Sequence, residues 1–150
     1  MAKSSVKEFL KRKNVNITVQ TYLIDALGAM AFGLFASLLI GTIFGTLGQQ
    51  FQIEIFNVIA DYAKSATGAA LGIAIAHALK APQLVLFSAA TVGIAGTALG
   101  GPVGALVATI VAAELGKIVS KETRLDIIVT PGITIISGVL VAQFVGPGVA

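Results

Sequence analysis

Charged side chains cut this sequence into long neutral stretches: Ala26 to Ile53, Ala81 to Ala113 and Ile127 to Ala150 contain no Asp, Glu, Lys or Arg. Each is longer than the roughly 20 apolar residues with which a helix crosses hydrocarbon ~30 Å thick. The pattern predicts an all-α, polytopic transmembrane helix bundle of four or five spans with broken or kinked helices. A first span covers roughly Thr21 to Leu47 and contains Gly41-Thr42-Ile43-Phe44-Gly45, a spacing that lets another backbone approach closely. The polar, uncharged Gly48-Gln49-Gln50-Phe51-Gln52 reads as a turn. From Ile53 to Lys64, Glu54, Asn57, Asp61 and Lys64 recur at helical spacing, which predicts a half-turn or two at the interface before a second span near Ser65 to Leu79. That span carries its own small-residue seam, Gly68 to Gly72.

Pro82 breaks the helix after Lys80, because proline lacks an N–H donor and disfavours helical geometry in the residue before it. The run from Ala81 to Ala113 is too long for one crossing and is cut by Gly100-Gly101-Pro102. Two helices, Leu84 to Leu99 and Val103 to Lys117, joined by a tight bend are expected; one long, kinked and tilted span is the competing reading. A last span starts at Ile127, with Thr130-Pro131-Gly132 expected to interrupt its first turns.

Ahead of the first span, Ser5-Val6-Lys7-Glu8 has capping-box spacing and predicts a helix start. Residues 1–20 are expected to be a cytoplasmic basic N-terminal helix and 21–150 the transmembrane domain. Val6, Phe9 and Leu10 fall on one face with Lys3, Lys7 and Lys11 opposite, which suits an anionic leaflet; a frayed cytosolic tail is the alternative. The apolar run that follows is far longer than a signal-peptide core of 7–15 residues, so it reads as retained. Asn16-Ile17-Thr18 matches a glycosylation sequon but lies on the side assigned to the cytoplasm. With the N-terminus inside and the bend at Gly100 to Pro102 outside, nine of the ten Lys and Arg residues are cytoplasmic and only Lys64 is external. Positive charge on the inside is the empirical rule, and it favours five spans over four.

Composition agrees. Hydrophobic residues make up 56% and charged residues 11%, against about 25% charged in soluble domains. The absence of cysteine excludes disulfides, thiolate nucleophiles and Cys-based metal sites. The net charge of +3 sits at the ends of apolar runs, so loop topology explains it and nucleic-acid binding is not supported. With one histidine, no paired carboxylates and no phosphate-binding glycine loop, no catalytic residue, metal site or cofactor is expected.

Ionisable groups at membrane depth normally face a cavity or a partner, which singles out Asp25, His77, Glu114 and Asp126. Asp25 and Asp126 stand at span ends, where an interfacial position accounts for them. His77 stands one turn from a helix end, where capping or headgroup contact competes with a solute role. Glu114 ends a 33-residue neutral run and ranks first, although a surface ion pair with Lys117 at i, i+3 is the plain alternative. Backbone freed at broken helices can also build a transport site, which adds Gly100, Gly101, Thr130 and Pro131 as candidate substrate-binding positions; a plain loop and a proline-started helix are the alternatives.

The stretch Phe9-Leu10-Lys11-Arg12-Lys13-Asn14-Val15, the segment from Ala89-Ala90-Thr91-Val92-Gly93 to Gly100-Gly101-Pro102-Val103-Gly104, and Lys121-Glu122-Thr123-Arg124-Leu125-Asp126 through Pro131 together resemble the IIC-type membrane proteins of the bacterial phosphotransferase system. The closest likeness is to the branch also described as toxin-regulator membrane proteins. This resemblance implies a sugar-permease component in the bacterial inner (plasma) membrane, moving a small polar solute by alternating access. It also implies a IIB-type phosphocarrier partner, a homodimer, and a chain that is the N-terminal portion of a longer permease. The alternative from another class is a membrane sensor or regulatory protein that controls gene expression through a partner; a non-transporting structural protein is the third.

Overall fold

The computed structural model describes the backbone of residues 2–149 and the side-chain surroundings of residues 5–148. Six helices follow one another: α1 (Ala2–Arg12), α2 (Gln20–Phe51), α3 (Glu54–Ser65), α4 (Thr67–Ala78), α5 (Gln83–Val119) and α6 (Asp126–Val149). There is no strand among the described residues. By length and composition α2, α5 and α6 can each cross a membrane, and α4 is a shorter apolar helix. Their outward side chains are apolar too: Phe32 is 74% exposed and Phe144 83% exposed. So much exposed hydrocarbon is stable only against lipid or another apolar surface. The protein is an integral membrane protein.

The chain runs up and down through antiparallel neighbours. At the end of α2 Gln52 adopts a left-handed conformation (φ 52°) and the Ile53 N–H returns to the Gly48 carbonyl, which ends the helix and reverses the chain. α3 and α4 then descend along α2, with Gly41 against Ala60 and Lys64 and Gly33 against Ala70 and Leu71. α4 packs on α5 through glycines on both sides: a Cβ on Gly93 would stand 2.6 Å from the Gly72 nitrogen, and one on Gly68 would stand 2.8 Å from the Ile94 Cα. Such contacts are van der Waals contacts between backbones, which drive helix association where hydrocarbon surrounds both partners.

α5 is folded double. At Gly101 the backbone takes φ 65° and ψ −161°, Pro102 follows, and the chain turns back on itself. Gly96 faces Gly104 and Ala105, and Val85 faces Gly116. In a straight helix residues nine apart would be separated by about 13 Å along the axis. The tight bend expected here is present, and the single kinked rod is not. α6 lies along both halves, with Gly138 seated on Val92 and Ala112 and Gly146 against Leu99.

Other expectations need correction. α1 already runs from Ala2, so Ser5 and Glu8 lie inside it and form no capping box at its start. The side chain that caps the first span is Thr18, whose Oγ1 accepts the Thr21 N–H at 3.1 Å. α2 extends past Leu47 to Phe51, and α3 is a 12-residue helix rather than a half-turn or two. α6 passes through Thr130-Pro131-Gly132 without interruption. A proline removes one backbone bond, and here side chains stitch the turn around it: the Thr130 hydroxyl donates to the Asp126 carboxylate and the Thr134 hydroxyl to the Thr130 carbonyl at 2.8 Å.

Candidate functional site

The basic segments of the chain meet at one end of the bundle. After α1 the backbone turns through Asn14 (φ 61°) and the Val15 N–H bonds to the Leu10 carbonyl, which brings the start of α2 to the ends of α4 and α5. Tyr22 lies within a π-helical stretch, Gln20–Asp25. A π turn accommodates an extra residue and so re-aims the side chains near it, which is why such turns recur at functional positions.

Lys117 is 2% exposed and is the centre of the cluster. Its Nζ donates to the Asn14 carbonyl at 2.7 Å and the Leu79 carbonyl at 2.7 Å, and it stands 2.6 Å from Glu114 Oε1. Two of the ammonium's three protons go to these carbonyls, and the carboxylate beside it balances its charge. The approach to Oε1 is off the hydrogen-bond direction, so that oxygen is neutralised by charge while lacking a directed bond. The other oxygen, Oε2, accepts the Tyr22 hydroxyl at 2.5 Å, the short distance of a hydroxyl bound to a carboxylate. One lysine thus ties together the α1–α2 junction, the end of α4 and the second half of α5.

Beside it, Lys13 Nζ donates to the Ser120 carbonyl at 2.5 Å and pairs with Glu122, which Arg12 approaches at 4.0 Å. The hydrogen bond from Lys13, and then its charge, hold the Glu122 carboxyl below its ordinary range. Asp126 accepts the Lys121 N–H at 2.6 Å as well as the Thr130 hydroxyl, so it closes the loop between α5 and α6.

The sequence-derived candidates do not converge. Glu114 is in the cluster, with side-chain exposure of 13%. Thr130 is fully buried and Pro131 half-buried near the same end. His77 is exposed and shares with Asp25 a lateral hollow of about 520 Å³ floored by Gly28 and Ala74. Gly100 and Gly101 are at the opposite end, 13 residues or about 20 Å of helix from Glu114. Sequence reasoning missed Tyr22, 92 residues from its partner Glu114, and treated Lys117 as a surface residue. It also missed Thr67, Thr97 and Thr109, whose buried hydroxyl oxygens have no hydrogen-bond partner. The other helical hydroxyls with bonds one turn back, such as Ser37 to Gly33 and Ser88 to Leu84, show the usual alternative. No group of three or more His, Cys, Asp or Glu side chains that could hold a metal occurs among the described residues.

A family model described as "Phosphotransferase system, EIIC" matches residues 24–150. The chain belongs to this family. EIIC membership assigns it to the membrane-embedded sugar-transport components of the phosphotransferase system, which work with IIB components. No curated protein and no solved structure matches the chain. The family match begins at Ile24, beyond α1 and Tyr22, so the cluster joins the family region to a segment that precedes it.

Proposed function

We propose that this EIIC protein binds a small polar solute, a sugar, within the membrane and carries it across by alternating access, handing it to a IIB-type phosphocarrier on the cytoplasmic side. The observation that carries the reading is the family match over residues 24–150. Five crossings are proposed, α2, α3 with α4, the two halves of α5, and α6, a reading that the antiparallel order supports. In that arrangement the N-terminal helix, the loop at Lys80 and the loop at Lys121 are cytoplasmic, in keeping with the inside preference of basic residues. Residues 1–20 are then a cytoplasmic basic segment and 21–150 a transmembrane domain.

Glu114 is the proposed solute contact, with Thr130 and Pro131 near the same end; His77 in the lateral hollow and Gly100 and Gly101 at the far turn are proposed as separate contacts along the path. Lys117 and Tyr22 occupy Glu114 in the structure described, so solute access to that carboxylate requires the cluster to open. Closed, it holds the cytoplasmic ends of the helices together. In this reading the cluster acts as a gate. The test is reconstitution in liposomes with a IIB partner and a panel of labelled sugars. Saturable uptake or phosphorylation of at least one sugar, reduced in Glu114→Gln, is expected; no binding or uptake across the panel overturns the reading.

A further inference from the structure

A cleft of about 670 Å³ separates α1 from the bundle. Its polar wall carries Lys7 and Lys11, one turn apart on α1, and Lys80 from the loop after α4. All three lysines are exposed, and none is in an ion pair among the described residues. Lys80 is held in the left-handed region (φ 60°) at the point where the chain turns between α4 and α5. Asn14, Asn16 and Thr21 add neutral polar groups, and Asp25 is the one carboxylate in the lining. Asp25 lies 3.4 Å from the Gln20 amide.

We propose that this cleft binds the headgroup of an anionic phospholipid. Three observations point there together. The lining has three cations to one anion. Beside the cations the lining is apolar, with Leu10, Val15, Ile17 and Leu79. Apolar side chains next to it along the chain are exposed: Ile17 is 70% exposed, Leu23 58% and Ile24 57%. A water-soluble phosphate ester would use the lysines and leave the apolar lining unmatched, whereas a phospholipid uses both, with its phosphate among the lysines and its chains along α2. A second cleft on the other side of Asn14 and Lys80 is also basic, but its Lys13 and Lys117 are already committed to Glu122 and Glu114. Lys80 lines both clefts and Lys121 is the second cleft's other unpaired lysine, so the first cleft, with Lys7, Lys11 and Lys80, holds the larger set of unpaired cations among the described residues. Lys7 and Lys11 precede the family match, which begins at Ile24, whereas Lys80 lies within it.

A lysine close to an anionic headgroup contributes roughly a fivefold change in binding. The whole chain, purified in neutral detergent, is titrated with phosphatidylglycerol and with phosphatidylcholine of the same acyl chains, and retained lipid is read by native mass spectrometry. At least about tenfold preference for phosphatidylglycerol is expected. That preference should fall to near one in Lys7→Gln/Lys11→Gln/Lys80→Gln, survive in the corresponding arginine triple variant, and survive in Lys64→Gln. Equal retention of the two lipids by the unaltered protein, which needs no variant to fold, overturns the proposal. So does displacement of phosphatidylglycerol by millimolar glycerol phosphate, which would mark a site for soluble phosphate esters, or full preference in the glutamine variant. The inference shares with the proposed function only the placement of this end at the membrane surface. Because the readout uses no sugar, its failure leaves the transport reading to stand or fall in liposomes.

Discussion

Glu114 and Lys117 stand one helical turn apart on α5 with 2.6 Å between Oε1 and Nζ, and the lysine is 2% exposed. Desolvating two charges is costly, and removing one partner leaves the other charge buried without compensation. Lys117→Met should therefore destabilise the protein by roughly 3–5 kcal/mol, because it strands the Glu114 carboxylate and the Asn14 and Leu79 carbonyls together. Glu114→Gln/Lys117→Met should recover a large part of that loss. Thermal unfolding in a fixed detergent checks both; a double variant as unstable as the single one means that uncompensated charge is not the cause.

Glycine positions with different surroundings make a second test. A Cβ at Gly101 meets nothing within 4 Å, yet the backbone there has φ 65° and ψ −161°, a region that side chains disfavour. Gly101→Ala should cost about 1–3 kcal/mol by backbone strain alone. Gly132 is equally open but lies in the helical run of α6, so Gly132→Ala should be neutral or stabilise by up to about 1 kcal/mol. Gly93→Ala should be the worst, since its Cβ would press on the α4 backbone. If all three shift the unfolding temperature alike, the bend carries no conformational requirement.

The parts of this fold that were readable in the sequence are those set by local rules. Gly100-Gly101-Pro102 marks the hairpin because Gly101 can take the positive φ of the turn and Pro102 can start the returning helix, and the Gly41, Gly68 and Gly96 spacings mark faces that meet other backbones. Long-range pairing left no such trace. Tyr22 is one aromatic residue at a span end, and nothing near it in the sequence points to Glu114. Likewise Lys117 looks like the end of a helix; the Asn14 turn and the end of α4, both distant in sequence, meet its ammonium. Pro131 misled in the other direction, since the helix runs through it with local hydroxyl bonds on either side.

Thr109 is fully buried in α5, and its hydroxyl oxygen has no partner. An unsatisfied buried hydroxyl costs about 1–3 kcal/mol, so an isosteric methyl in its place removes a penalty. Thr109→Val is expected to raise the unfolding temperature by several degrees, at about 2–4 °C per kcal/mol for a chain of this size. A fall instead would show that the hydroxyl is bonded in the folded protein, and parallel uptake measurements would reveal whether its partner is solute.

Acid should loosen the N-terminal segment. Glu122 is held below its ordinary value of 4.5 by Lys13, so its contribution is complete above that value and is lost as pH falls through the lower, folded-state value. Because the carboxylate is at the surface, the effect is local and salt-sensitive. The protection of the amides of residues 12–15, relative to their intrinsic exchange at each pH, should fall as pH drops below about 4.5 in the unaltered protein, whereas Glu122→Gln should be less protected above that pH, lack that dependence and converge with the unaltered protein in acid. Identical profiles would mean that the Lys13–Glu122 pair does not hold this junction.

The number of crossings is decided by which loops share a side. Since the chain has no native cysteine, single cysteines can be introduced without further change. If both halves of α5 cross, Gln83→Cys at its start and Thr123→Cys after its end lie on one side, with Gln50→Cys and Val103→Cys on the other. A helix that crossed once would put positions 83 and 123 on opposite faces. Intact inverted and right-side-out vesicles, treated with a membrane-impermeant maleimide, separate these arrangements. The doubled α5 predicts that 83 and 123 are labelled in inverted vesicles alone, and 50 and 103 in right-side-out vesicles alone. Labelling of 83 and 123 from opposite sides would remove the five-crossing arrangement and, with it, the assignment of the Lys117 cluster and the basic cleft to a single membrane surface.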